Sequence, residues 1–349
     1  MVFMMGDKGV MLIVLLILCS LLVAFPIIET VRATEESWVL KAPMPLSSWG
    51  VAVVNGKIYA IGTNDVAEYD PEVDAWTFKK PMPTNRTSFA LAVYHDKIHV
   101  IGGSKGLNQL YDPATDTWEP KASMPTPRTQ LEANVVNDKI YLIGGRTGGP
   151  DSTVGLNEVY DPATDTWSTG APIPVPVDSY ASAVVDNKIY VIGGEGPKPP
   201  DLNQIYDPVT NTWSHGAAIP NGVVDAAAGA TSGVLASKRI YVLGGRINYD
   251  IWGTDINQIY NPENDSWTIG ASMPIARAWL HVAVVNDMIY AMGGAPYFNL
   301  QGTWSPENYQ YTPSGYIPEF PSWVILPLVL IVTLGVLFLK KRLITTSIS

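Results

Sequence analysis

The chain has 349 residues, 22 Lys plus Arg against 32 Asp plus Glu for a net charge of −10, and a single cysteine. That acidic balance argues against nucleic acid and anionic lipid as general partners. One cysteine excludes an internal disulfide framework.

Residues 1–33 read as a secretory signal. Lys8 precedes an apolar run over 10–25, and Val31-Arg32-Ala33 resembles a small-residue cleavage site. Cys19 lies in this segment, so the mature chain is expected to carry no thiol.

Residues 34–317 repeat one pattern six times: Met-Pro or Ile-Pro, a small apolar strand, a strand ending in Gly-Gly, Tyr-Asp-Pro, then Trp. The first glycines are Gly62, Gly102, Gly144, Gly193, Gly244 and Gly293, and the tyrosines are Tyr69, Tyr111, Tyr160, Tyr206, Tyr260 and Tyr311. Tyr precedes Trp by seven residues in five units, ending at Trp76, Trp118, Trp167, Trp213 and Trp267. The stretch from Gly to Tyr varies from 7 to 18 residues. A fixed frame with one variable segment predicts a scaffold presenting loops from one face.

Each unit reads as four short strands. Asn137-Asp138 and Asp186-Asn187 suit a tight hairpin between the first two. The second strand, as in Ile189-Tyr-Val-Ile, has no polar alternation and is expected to be covered on both faces. Tyr-Asp-Pro favours a type I turn, and the Trp after it supplies a large apolar plate. Four-stranded sheets repeated about an axis predict an all-β, six-bladed β-propeller. The sixth unit lacks its Trp, but Trp38-Val-Leu-Lys-Ala-Pro-Met-Pro aligns with Trp118-Glu-Pro-Lys-Ala-Ser-Met-Pro. An amino-terminal strand is therefore expected to complete the last blade.

With its Gly-Gly pairs, spaced Tyr and Trp, and Met-Pro lead-ins, the chain resembles the kelch family over about residues 36–317. Thr63 replaces the second Gly in the first unit and Asn261 replaces the turn Asp in the fifth. The resemblance implies a propeller whose variable loops and lead-in loops share a face.

Beyond the repeats, residues 318–321 form a linker. Residues 322–339 are an 18-residue apolar run, long enough as a helix, at about 27 Å, for a transmembrane anchor. Trp323 marks one interface. Lys340-Lys341-Arg342 opens a cytoplasmic tail over 340–349, which places the propeller outside the cell. Pro318-Glu319-Phe320-Pro321-Ser322 before such a helix resembles the Pro-Glu-Phe sorting tags of archaeal surface proteins. Asn85-Arg-Thr and Asn264-Asp-Ser match the glycosylation triplet.

Sixteen residues before the first Gly stand Arg86, Arg128 and Arg277 in units two, three and six. Their guanidinium forks suit carboxylates. Two settings are open: bonds to a carboxylate or carbonyl of the adjacent blade, or an acidic ligand at the channel mouth, whether peptide or carboxylated sugar. Further mouth candidates are Arg146, Arg246, Trp49, Tyr180, Trp252 and Trp279, with Tyr249, Tyr297 and Phe298.

Enzymatic readings are narrower. Kelch-type copper oxidases use a Tyr–Cys cross-link, which the absence of cysteine in the repeats excludes. His95, His99, His215 and His281 show no metal-ligand spacing, and no cofactor is implied. Sialidases share six blades and an arginine trio, but the turns here lack the Gly of their aspartate boxes. A kelch-type sialic acid epimerase is the nearest enzymatic resemblance. It would use Arg with Glu132, Asp178 or Glu195 for proton transfer. The sequence is expected to encode a cell-surface recognition module for an extracellular protein or glycan, acidic ligands included, anchored by one helix. An isomerase, epimerase or lyase acting on an acidic sugar, and a structural surface-layer component, are the alternatives.

Overall fold

Two consecutive residues with positive φ turn the inner hairpin of five repeats: Asn55-Gly56, His95-Asp96, Asn137-Asp138, Asp186-Asn187 and Asn286-Asp287. Such turns match the right-handed twist of the strands they join. In the fifth repeat residues 231–239 replace the turn. This loop folds around the Asp287 carboxylate, which accepts the amides of Ser232 at 2.6 Å, Leu235 at 2.8 Å and Ala236 at 3.0 Å.

The computed structural model describes residues 36–149, 151–247, 253–296 and 304–317. The proposed signal segment, the linker at 318–321, the transmembrane run and the tail lie outside the described residues. Glu35–Ser314 forms a compact unit. Its described residues build six four-stranded antiparallel sheets. In the first blade the strands run Gly50–Val54, Lys57–Ile61, Val66–Asp70 and Ala75–Lys79, from inner to outer. The next four blades repeat that order. The sixth takes Ala278–Val285, Met288–Ala295 and Asn308–Thr312 from its own repeat and Ser37–Lys41 as its outer strand. Trp38 pairs with Tyr311 as Trp76 pairs with Tyr69. The expected amino-terminal closure is thus present.

Each second strand is buried apart from its end residues, as in Ile58, Tyr59, Ala60 and Ile61, and packs against neighbouring blades on both sides. Cores fill the interfaces between blades, including one between the sixth and first. The inner strands sit closest. A Cβ on Gly229 would meet Val282 Cγ1 and Val284 Cγ2 at 2.7 Å, so the fifth inner strand needs a glycine there.

One joint recurs at all six interfaces. The indole N–H of Trp76 donates to Ala42 O at 3.0 Å, while the Ala42 amide donates to Asp74 Oδ1 at 2.8 Å. A single backbone residue of the preceding blade's exit is held at both its carbonyl and its amide. The same grip joins Trp118 and Asp116 to Lys80, Trp167 and Asp165 to Ala122, Trp213 and Asn211 to Ala171, and Trp267 and Asp265 to Ala217. In the sixth blade Trp38 and Glu36 hold Ala271 at 3.0 and 2.6 Å. In the five internal turns the buried Tyr donates its hydroxyl at 2.6 Å to the same carboxylate or amide oxygen. The acceptor two residues before each Trp is the part of the joint that the Tyr, Gly-Gly and Trp spacing does not announce.

The paired glycines make a second contact between blades. Gly145, Gly194 and Gly245 donate their amides at 2.9 Å to Val177, Val223 and Arg277, each in the lead-in of the next blade. The preceding glycine has φ of 63° at Gly144, 67° at Gly193 and 63° at Gly244, and a Cβ there would collide with that same carbonyl. Only glycine meets both demands.

Candidate functional site

The lead-in to each inner strand shares the loop face with the segment after Gly-Gly. Five of the six lead-ins hold one non-glycine residue in the left-handed region: Ser88, Gln130, Ser179, Asp225 and Trp279, with φ between 52° and 57°. The amide of Ser179 donates to Gln130 O at 3.0 Å, that of Asp225 to Ser179 O at 2.8 Å, and that of Trp279 to Asp225 O at 2.9 Å. A main-chain arc therefore links blades three to six around the channel mouth. Conformations of this kind persist only where their surroundings fix them.

The structure sets Arg86, Arg128 and Arg277 inside the blades, away from the mouth. Arg128 and Arg277 are 0% exposed. Arg86 donates to the carbonyls of Leu107 at 2.6 Å and Val100 at 2.7 Å. Arg128 donates to the carbonyls of Gly144, Leu156 and Leu142, and at 2.9 Å to Glu158. Arg277 donates to Gly293 O at 2.8 Å and Glu307 O at 3.0 Å. Each brace spans the second and third strands of its own blade at the point where Gly-Gly breaks the ladder and leaves carbonyls in need of donors. Burial pulls the Arg86 guanidinium down to about 10. Tyr180 is also buried, donates its hydroxyl to Ile143 O and accepts the Glu132 amide at 3.2 Å. The arginine trio and Tyr180 hold the frame, and the candidate site is drawn without them.

Arg146 and Arg246 do reach the rim. They occupy the position after Gly-Gly in blades three and five, and Glu195 fills it in blade four. Arg146 Nε lies 2.7 Å from Asp178 Oδ2, and its Nη2 lies 2.9 Å from Glu195. Arg246 Nε lies 2.6 Å from Asp225 Oδ2, and its Nη2 lies 3.9 Å from Glu195. Two guanidinium groups are thus matched by three carboxylates. Burial pushes the Asp225 carboxyl up, against the pull of Arg246. Asp225 stands twelve residues after Trp213, as Ser179 stands after Trp167; the extra residues of the fifth repeat lie beyond it, over 231–239, so a count back from Gly244 misses it.

Trp279 lies under Arg246, whose Cζ is 5.5 Å from the ring centroid. Trp49 is 41% exposed. Trp252 falls outside the described residues, as do Tyr249, Tyr297 and Phe298. Asn85 and Asn264 are both exposed, and Asn264 Oδ1 accepts the Ser266 hydroxyl at 2.6 Å.

Inside the mouth all six inner strands enclose a cavity of about 90 Å³. Trp49, Glu132, Ser182 and His281 are the side chains on its wall that carry polar groups. Further along the inner strands the half-buried positions are Val53, Val93, Val135, Val184, Ala230 and Val284. Glu132 is exposed within the channel mouth, and the protein packed around the channel pushes its carboxyl up to about 7. Burial pushes the His281 imidazole down to about 4. Its Nε2 lies 3.1 Å from Ser48 O.

The profile of the KLHDC2/KLHL20/DRC7 Kelch-repeats domain matches residues 63–245 and, overlapping them, 107–294. The influenza virus NS1A-binding protein homolog of Xenopus laevis is 43% identical over 67 residues, 17% of this chain and 10% of that protein. Kelch-like protein 15 of Homo sapiens is 41% identical over 64 residues, 17% of this chain and 11% of that protein. The matched stretches span about a tenth of the length of these relatives. Among solved structures, that titled "Structure of YjhT" aligns with a TM-score of 0.64 at 20% identity, covering 77% of this chain and 95% of that one. This last likeness is one of fold. With the repeat profile lying across most of the blades and each blade carrying the Gly-Gly contact or the Tyr–Trp pairing, the chain belongs to the kelch-repeat family.

Proposed function

We propose that this kelch propeller is a recognition module on the outer cell surface, binding a protein or glycan through its loop face. The amino-terminal segment would export the chain, and the helix over 322–339 would tether it with the propeller outside. One observation carries the binding reading. Arg146, Glu195 and Arg246 of blades three, four and five converge on one rim over the buried carboxylates of Asp178 and Asp225, and exposed Trp49 of blade one lines the same channel mouth. Aromatic and arginine side chains held in place at a rim lose little freedom on binding and suit a contact anchor.

The full-length protein on intact cells, cross-linked to surface proteins and probed in parallel on a glycan array, provides the test. Trp49→Ala combined with Glu195→Gln is expected to weaken capture at least tenfold. Phe78→Ala, on an exposed outer strand, is expected to leave it unchanged. Equal capture by all three proteins would refute the loop face. Resistance of the propeller to protease added outside intact, otherwise protease-sensitive cells, with digestion after lysis, would refute the outward location.

A further inference from the structure

Among the described residues, the channel mouth holds a carboxylate without a counter-ion. The rim acids face arginines, and the turn acids face amides and tyrosine hydroxyls. Among the described residues, no cation or hydrogen-bond donor lies against the Glu132 side chain, and only its backbone amide is bonded. The rest of the wall reinforces this. A carbonyl can only accept, so the His281 Nε2 that meets Ser48 O must carry the ring proton. The neutral ring then presents Nδ1 as a second acceptor. Trp49, on the same wall, offers an aromatic face, which attracts cations.

We propose that this cavity receives the cationic head of a lysine or arginine side chain projected by a protein partner. The inference rests on the recognition reading and assigns its chemistry. Size favours a slender group. The cavity of about 90 Å³ has room for a few waters or for an ammonium or guanidinium head. Access favours it too, because the lining residues lie just before or in the leading part of each inner strand, toward the end that opens on the loop face. Charge agrees: the two rim guanidinium groups are matched by buried Asp178 and Asp225, and Glu195 adds a third, more exposed carboxylate. The low-dielectric wall strengthens an ion pair formed inside it, and the stem of the side chain lies along apolar strand residues.

The probes are acetyl-arginine and acetyl-lysine methylamides, with the norleucine and glutamate analogues and glucosamine as comparisons. Binding to the full-length protein in detergent is followed by saturation-transfer NMR. The cationic probes are expected to bind at least tenfold more tightly than norleucine, and glutamate not at all. Glu132→Gln keeps the shape and removes the charge, and is expected to abolish the preference. Phe78→Ala is expected to keep it. Equal binding of arginine and norleucine probes, or an unaltered preference in Glu132→Gln, overturns the proposal. Preferential binding of glucosamine overturns its protein arm. If cell-surface capture survives Glu132→Gln while the cationic probes fail to bind, the channel assignment falls and the recognition reading stands. If capture is indifferent to the Trp49 and Glu195 changes, the recognition reading itself falls.

Discussion

Replacing Trp38 with alanine removes the outer-strand half of the joint that closes the ring. Three contributions are lost. The indole N–H to Ala271 O, at 3.0 Å, is worth about 1 kcal/mol. The ring contact with Tyr311, at 4.8 Å between centroids, adds about 1 kcal/mol. Burial of one side of a half-exposed indole adds about 1 kcal/mol more. The total is about 3 kcal/mol, at the lower end of the range for a buried tryptophan. At roughly 2 °C per kcal/mol for a domain of this size, Tm should fall by about 6 °C. Trp167→Ala is the internal reference, because Trp167 makes the same bond to Ala122 O at 2.9 Å and meets Tyr160 at 5.0 Å. Differential scanning calorimetry of both variants should give matching losses. A drop of 6 °C for Trp167→Ala with less than 1 °C for Trp38→Ala would refute closure by the amino-terminal strand.

Other outcomes follow from the same contacts. Asp165→Ala should cost about 1–2 kcal/mol, because it leaves the Ala122 amide and the Tyr160 hydroxyl without their acceptor. Asp165→Asn should cost under about 0.5 kcal/mol, since Asn211 already fills this place in the fourth blade; urea unfolding compares the two. Gly193→Ala should lower stability by roughly 2–4 kcal/mol through the collision with Val223 O and its positive φ, and Gly149→Ala, with nothing within 4 Å, should not. The Asp165 carboxyl is held below the usual range by the Tyr160 hydroxyl, and that of Asp265 by the Ala217 amide. A folded value below the unfolded one gives stability that is full above about pH 4 and lost as pH falls further; the double Asn variant should flatten the Tm profile there. The channel pair acts in opposite directions. Glu132, raised to about 7, loses stability as pH rises from about 4.5 to 7, because the folded state holds the proton longer. His281, lowered to about 4, loses stability as pH falls from about 6.5, because the unfolded state takes the proton first. Tm profiles of Glu132→Gln and His281→Gln should tilt in opposite senses between pH 4.5 and 6.5.

The number of blades and the means of closure were legible because they depend on bulky residues at fixed spacing. Trp38 announced its place by matching Trp118 residue for residue, and the structure pairs it with Tyr311. The direction taken by the lead-in arginines was not legible. Arg86, Arg128 and Arg277 recur in register, which marks a shared role. Whether that role faces the solvent depends on carbonyls freed where each second strand ends, and this is a matter of backbone geometry. Asp225 was hidden because the loop over 231–239 shifts any count made back from Gly244, and Glu36 because it replaces aspartate at the joint. That no described cation or donor meets the Glu132 side chain emerges only when six inner strands from distant parts of the chain are brought around one axis.

Closure by a strand drawn from the far end of the sequence also sets an order of events. Ser37–Lys41 is synthesised among the first of the described segments, yet its partner Asn308–Thr312 is among the last. Until then this segment is an unmatched ribbon, with hydrogen-bonding groups open to a second chain. The five internal joints can form progressively as synthesis proceeds, whereas the last must await the final repeat. Contacts so distant along the chain are slow to form. Assembly should therefore end in one late ring-sealing step, and an interrupted chain should yield associating arcs rather than a smaller ring.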